Sequence, residues 1–349
     1  NWYADKVDLS KTNDFIIVRV ISVNKNSFVV SNGEKDIYAE LTGKFLFYSD
    51  SALDLPTVGD FVYAQLFDDD TLAIIQDILP RKSLLKRKAA GKKIDYQLIA
   101  ANIDIAIIMQ ALDSNFNIRR LERYLVIIND NNITPLILLS KSDLISPEEV
   151  EEKKKQILEI LPDVKIFSFS NNNLNDIENI KTIFTPHKTY CLLGSSGVGK
   201  TTLLNNLIHQ DLYKTQPIRE KDDRGKHTTT RRELIILENE AIIIDNPGMR
   251  ELGIISNESG ISSTFGEIDE LSDQCKYKDC THTVEAGCAV LEALERGEIS
   301  RERYENFLKL YKESKYNEMS YVEKRQKDKK FGKFFHSTMK DVKKMKGRQ

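Results

Sequence analysis

A three-part chain is predicted: an all-β barrel, an α/β domain with a mainly parallel sheet, and a mostly helical region organised by a metal-binding cluster. Three observations predict it. Short β-branched runs separated by turn residues crowd the first eighty positions, and from Asn102 apolar strands alternate with helical patterns. Cys275, Cys280, His282 and Cys288 then fall within fourteen residues. The 349 residues, 40% of them apolar, can fill more than one core.

The barrel is read from residues 15–23, a β-branched run, then 27–31 after Asn24-Lys25-Asn26, and Asn32-Gly33, a hairpin turn leading into 37–41. Val58-Gly59-Asp60 opens 61–67, and 71–79 follows an acidic turn. Five strands in so short a span suit a small Greek-key barrel of the OB-fold type, assigned to residues 1–84 with an N-terminal extension. Such barrels often bind oligonucleotides, but shape alone does not separate that role from a structural adaptor. Pro80 ends the barrel, and residues 85–99, rich in Lys and Arg, are expected to form a basic linker.

Residues 100–268 make up the α/β domain. Strands at 103–109, 135–139 and 164–169 alternate with helices near 118–130 and 147–161; strand 189–193 runs into a glycine-rich loop and a helix from Lys200. Residues 233–237 and 241–245 form a hairpin around Glu238-Asn239-Glu240. Residues 269–321 lack a sheet pattern and carry helices at 289–296 and 301–315; residues 322–349 form a tail with eleven Lys/Arg against three Asp/Glu.

A net charge of −2 names no partner. Four cysteines in this length do not make a secreted disulfide scaffold and point to a reducing compartment. No stretch reaches the ~20 apolar residues that span a bilayer, and Asn1-Trp2-Tyr3-Ala4-Asp5 lacks the form of a signal peptide. A soluble, cytoplasmic, monomeric protein without a membrane partner is expected.

The motifs carry the chemistry. Gly194-Ser195-Ser196-Gly197-Val198-Gly199-Lys200-Thr201, after a strand and before a helix, matches a phosphate-binding loop. Glycines let backbone N–H groups turn onto phosphates at a helix N-terminus; Lys200 reaches the β- and γ-phosphates, the Thr201 hydroxyl ligates Mg²⁺, and Thr202 joins the binding set. Asp245-Asn246-Pro247-Gly248 follows an apolar strand, so Asp245 faces Mg²⁺ through water and the Gly248 N–H senses the γ-phosphate. Between them Gly225-Lys226-His227-Thr228-Thr229-Thr230 suits a switch segment that closes on Mg²⁺, with Thr229 as the expected ligand.

Ser140-Lys141-Ser142-Asp143 ends an apolar strand. Asp143 there accepts hydrogen bonds from guanine N1 and its amine, which adenine cannot supply, and the Lys141 stem covers the base. Ser140 stands where Asn is usual, a departure that weakens the expected loop anchoring, and Ser168-Phe169 is expected to close the base pocket. This loop precedes the phosphate loop by about fifty residues, an inversion that a circular permutation explains. Cys275, Cys280, His282 and Cys288 supply three thiolates and an imidazole, a closed set suited to one structural Zn²⁺, although their spacing is not that of a standard finger. Cys191 is expected to be buried packing.

With these residues assembled, the chain resembles the RsgA (YjeQ/YloQ) family of circularly permuted GTPases of small ribosomal subunit biogenesis. The likeness runs from Phe15 to about Lys315 and includes Val58-Gly59-Asp60, Leu79-Pro80-Arg81, Ala101-Asn102-Ile103-Asp104, His227-Thr228-Thr229-Thr230 and the Cys/His cluster. It implies an OB-fold barrel, a permuted P-loop GTPase domain and a zinc domain, binding GTP or GDP and acting in late 30S maturation, with hydrolysis stimulated by the subunit and contact to 16S rRNA. It also implies that Met249 replaces the water-orienting glutamine and that His227 takes that catalytic task beside Lys200. Two alternatives stay open at this level: an NTPase regulating a non-ribosomal partner, and a zinc-stabilised RNA-binding protein whose nucleotide is structural or slowly hydrolysed.

Overall fold

The computed structural model describes residues 3–24, 27–89, 96–208, 232–246, 258–319 and 323. Strands β1 (Ile16–Val23), β2 (Phe28–Ser31) and β3 (Asp36–Leu41) are followed by helix α1 (Gly43–Tyr48) and strands β4 (Phe61–Phe67) and β5 (Leu72–Ile78). Every pairing is antiparallel except β3 with β5, and β4 returns to β1, so five strands close in the order β1-β2-β3-β5-β4. That is the predicted OB-type barrel. Alternation places Val18, Val20, Val30, Ile37, Val62 and Ile75 inside it, each at most 1% exposed.

The expected linker is partly a strand pair. β6 (Leu84–Lys88) and β7 (Tyr96–Ala101) form a separate antiparallel ladder. Leu85, Ile99 and Ala100 are buried in the core of the next domain, whereas Lys86, Arg87 and Lys88 are only partly covered. The run of positive charge concealed this apolar face in the sequence.

The α/β domain holds β8 (Ile105–Ala111), α2 (Ile118–Asn129), β9 (Thr134–Ser140), α3 (Pro147–Leu158), β10 (Lys165–Phe169), α4 (Leu174–Lys181), β11 (Thr189–Leu193), α5 (Lys200–Ile208), β12 (Arg232–Ile236) and β13 (Ile242–Asp245). Its strands lie in the order β10-β9-β8-β11-β13-β12, all parallel except β12. Two cores line its faces: Ile107, Met109 and Leu204 belong to one, Ala106, Ile108 and Leu125 to the other.

Barrel and α/β domain share one sheet. β4 covers the edge of β1 only as far as Arg19, and β12 takes the same edge through Ser22 opposite Glu233 and Val23 opposite Arg232. At this joint Gly59 has φ +95°, and a Cβ there would lie 2.2 Å from the Ala101 carbonyl oxygen, so no other residue fits. Asn102 Nδ2 donates to the Gly59 carbonyl at 3.0 Å, and Arg81 grips Asp60 through two 2.8 Å bonds.

Helices α6 (Glu258–Thr264) and α9 (Arg301–Glu318) pack against α2, while α7 (Gly266–Ser272) packs on α6 and α8 (Ala289–Glu295) on α7 within the same core. Fully buried Glu122 of α2 receives Arg303 Nη1 at 2.8 Å, Arg119 Nη1 at 2.7 Å and the Asn306 amide, and Arg123 pairs with Glu313 through two 2.7 Å bonds. No helix among the described residues is long and apolar enough to cross a membrane.

Candidate nucleotide and metal sites

β8 and β11 are neighbours from which the chain leaves in opposite directions, β8 outward to β9 and β10, β11 to β13 and β12. Open α/β sheets bind ligands beyond the carboxyl ends of their strands at such a reversal. The glycine-rich loop follows β11 there, and Ser140 ends β9. The loop is tightly built. Gly194 has φ +152°, and a Cβ would sit 2.6 Å from the Met109 carbonyl oxygen. Val198 is buried, whereas Ser196 and Gly197 are exposed at the tip.

Lys200, first residue of α5, folds back so that Nζ donates to the Gly194 and Ser195 carbonyls at 2.7 and 2.9 Å. Burial lowers this lysine to about 8, against the opposing pull of Asp245. Burial likewise raises the carboxyl of Asp245, which Lys200 counteracts. Asp245 ends β13 opposite Leu192 of β11. The Thr201 hydroxyl and the Asp245 carboxylate are hard oxygen donors of the kind Mg²⁺ takes. Thr202 lies one residue further along α5.

Beside Asp245, Asn246 donates to Cys191 Sγ at 3.1 Å, and its buried Oδ1 has no partner among the described residues. Cys191 is fully buried, as expected.

Ser140 anchors the loop despite its shorter side chain. Its Oγ donates to the Val198 carbonyl at 2.7 Å and lies 3.3 Å from the Gln110 carbonyl, joining the loop 140–143, the glycine-rich loop and β8 in a buried contact. Lys141 takes a left-handed φ of +60°, and its Nζ meets Asp113 at 2.8 Å. Ser142 opens a single 3₁₀ turn that ends at Leu144, in which Asp143 is exposed. Ser168 lies within β10 opposite Leu139, two residues short of the turn at the crevice.

That turn escaped the sequence reading. Asn171 Nδ2 is 3.4 Å from the Gly199 carbonyl, Asn206 Nδ2 donates to the Asn171 carbonyl at 3.2 Å, and the buried Asn171 Oδ1 has no partner among the described residues. A run of asparagines after a strand was its only signal. Asp113 was missed as well, since its partner is distant in sequence. His227, Thr229, Gly248 and Met249 lie outside the described residues.

The Cys/His residues come together. One donor atom from each of Cys275, Cys280, His282 and Cys288 lies within 4.8 Å of the others. Cys275 Sγ is 3.8 Å from Cys288 Sγ, and His282 Nδ1 is 3.6 and 3.5 Å from these sulfurs. A tetrahedron with metal–sulfur bonds of about 2.3 Å and a metal–nitrogen bond of about 2.0 Å has edges of roughly 3.8 and 3.5 Å. The cluster can therefore hold a metal ion. Ser272 Oγ donates to the Ile268 carbonyl at 2.7 Å and lies 3.2 Å from His282 Nε2. Its lone pair can accept Nε2–H, which leaves Nδ1 free as a ligand. Burial pushes the Cys288 thiol up to about 12.

The RsgA GTPase family profile matches residues 78–255. The small ribosomal subunit biogenesis GTPase RsgA 2 of Listeria monocytogenes serotype 4b (strain F2365) is 41% identical over 86% of this chain and 84% of its own length. Among solved structures, YjeQ from Thermotoga maritima superposes with a TM-score of 0.63 at 26% identity, over 86% of this chain and 98% of its own. YloQ, described as a circularly permuted GTPase, gives a TM-score of 0.60 at 24% identity over 87% and 96%, a likeness of fold alone. With its barrel, permuted order of nucleotide loops and Cys/His cluster, the chain belongs to the RsgA GTPase family.

Proposed function

We propose that this protein hydrolyses GTP to GDP and phosphate during maturation of the small ribosomal subunit, as the names of its relatives describe for them. The observation that carries this reading is the 2.7 Å bond from Ser140 to Val198, which ties the base loop to the phosphate loop although they occur in inverted order. In it the backbone of residues 194–199 cradles the phosphates, and Lys200 exchanges its carbonyl partners for β- and γ-oxygens. Asp143 selects guanine, and the Ser170–Asn173 turn, rather than Ser168 within its strand, closes the base pocket. Mg²⁺ would be held by Thr201, Thr229 and, through water, Asp245, and would neutralise charge on the phosphates. The Gly248 N–H senses the γ-phosphate, and His227 orients the attacking water, since the thioether of Met249 cannot.

One zinc ion per chain fits Cys275, Cys280, His282 and Cys288 by donor type and edge length. Residues 1–84 carry eight Lys/Arg against thirteen Asp/Glu, so contact with 16S rRNA phosphates falls chiefly to the basic tail. The protein works as a cytoplasmic monomer on the 30S subunit. Domain limits of 1–84, 85–99, 100–268, 269–321 and 322–349 accompany this reading, with the β6–β7 ladder taken together with the α/β domain because Leu85, Ile99 and Ala100 share its core. The test is GTP turnover with and without purified small subunits: slow basal hydrolysis that rises severalfold or more on adding subunits is expected. Equal rates in both conditions would remove the ribosome from this function.

A further inference from the structure

The base loop makes one contact that neither the motif nor the permutation requires. Lys141 Nζ and Asp113 Oδ2 are 2.8 Å apart, with side chains only 20% and 19% exposed. Asp113 follows β8 by two residues, at the strand reversal where the crevice opens. Its carboxylate is itself fixed: Oδ1 accepts the Asn115 N–H at 2.8 Å, which leaves Oδ2 directed to the ammonium. The surrounding backbone is held by Gln110, which accepts the Asn117 N–H at 2.9 Å and donates to its carbonyl at 3.2 Å, and by the bond from Leu112 N–H to the Ser140 carbonyl at 2.8 Å.

Lys141 needs such a partner. It sits in a left-handed backbone conformation that is unfavourable for an L-residue with a Cβ, and a free lysine stem loses rotamer freedom when ordered. An ion pair made before nucleotide arrives has already ordered the stem. Burial alone would raise Asp113, yet the bond from Lys141 and the Asn115 N–H outweigh it, and its carboxyl lies below its usual range.

We infer that Asp113 is a positioning residue for nucleotide binding: it holds the Lys141 side chain extended as a preformed wall of the base slot, so that the slot does not have to order itself around the ligand. This rests on the assignment of residues 140–143 as the base loop. Asp113 touches no nucleotide in this arrangement and acts through Lys141, so its influence should disappear when Lys141 is gone.

The full chain is tested with a fluorescent N-methylanthraniloyl-GDP by equilibrium titration and stopped-flow dissociation. Asp113→Asn keeps an acceptor for the Asn115 N–H but loses the charge, and should raise Kd about tenfold or more, mainly through faster release. Asp113→Glu, which retains the carboxylate, should recover most of the affinity. In a Lys141→Gln background the same Asp113→Asn change should alter Kd by less than about twofold. Wild-type Kd and release rate in Asp113→Asn, no recovery in Asp113→Glu, or a full effect without Lys141 would each overturn the inference. Failure of the underlying assignment is separately visible: the wild-type chain would then bind the guanine probe no better than its adenine counterpart.

Discussion

The Cys/His cluster and the nucleotide crevice are built on opposite plans. All four cluster donors come from fourteen consecutive residues, and their edges already match a tetrahedral ion. The crevice draws on the ends of β8, β9, β10, β11 and β13, spread from Asp113 to Asn246, and its lysine is bonded to the loop's own carbonyls. One site is closed by local chain; the other is assembled by the sheet. The metal region should therefore fail as a unit when one donor is lost, whereas the crevice should lose binding group by group without losing its shape.

Breaking the local site has the largest expected effect. Cys280→Ser, or removal of metal with a strong chelator, should unfold residues near 270–290, because structural zinc sites supply on the order of 10 kcal/mol to small folds. Elemental analysis of the native chain should find one zinc, and limited proteolysis should then cut the variant in this region while the guanine probe still binds. A variant region that resists protease like the native one would break the comparison.

Next comes the join between the two regions. Arg303 reaches Glu122, Glu267 and the Thr264 carbonyl from α9. Arg303→Met leaves a buried carboxylate with fewer partners and should cost about 3 kcal/mol. Thermal unfolding should show α9 and the cluster separating from the α/β domain; an unchanged midpoint would mean that Arg119 and Asn306 satisfy Glu122 alone.

Within the crevice, Lys200→Ala should weaken GTP binding by at least about a hundredfold, since charge-assisted bonds to phosphate are lost, while the nucleotide-free protein melts no lower than the native one. Lys200 also predicts a pH effect with a definite sign. Its ammonium is disfavoured by burial in the folded chain, which brings it to about 8 rather than 10.5. The folded chain then binds fewer protons than the unfolded one between those values, so stability rises with pH across that window. Below about 8 the lysine is charged in both states, and its burial is a constant penalty. Bound triphosphate restores the charged form, so GTP affinity should fall above pH 8. Melting curves of native and Lys200→Ala protein from pH 7 to 10 decide this: an identical slope in both removes Lys200 as its source.

The smallest effect is expected at Ser140. Ser140→Ala leaves the Val198 carbonyl without its 2.7 Å partner, a loss of about 1 kcal/mol that should weaken GDP binding severalfold. An affinity equal to the native one would show that the phosphate loop holds its shape without the base loop.

Much of this was legible in the sequence. The five barrel strands, the strand before the glycine-rich loop, and the 233–245 hairpin follow from period-two patterns and turn residues, and the four cluster donors from residue type and proximity. The β6–β7 ladder was hidden because Lys86, Arg87 and Lys88 dominate its composition, while Leu85, Ile99 and Ala100 are the residues that decide its packing. Helix α4 was missed because asparagines precede it, and they read as loop until Asn173 is seen capping Asn175 N–H. Asp113 could not be found at all, since nothing local distinguishes it from an ordinary turn aspartate.

The sequence by itself determined the chemistry on offer: a glycine-rich loop between strand and helix, an Asp-bearing loop at the end of an earlier strand, three thiols with an imidazole, and their order along the chain. Only the tertiary structure decided which of these meet. Local patterns report contacts between residues a few positions apart, whereas the bond from Ser140 to Val198 spans 58 positions, Asp113 and Lys141 are 28 apart, and Glu122 and Arg303 are 181 apart. The first two distances are closed by a parallel sheet whose strand order differs from the chain order, the third by packing of α9 against α2, and burial of apolar faces holds both in place.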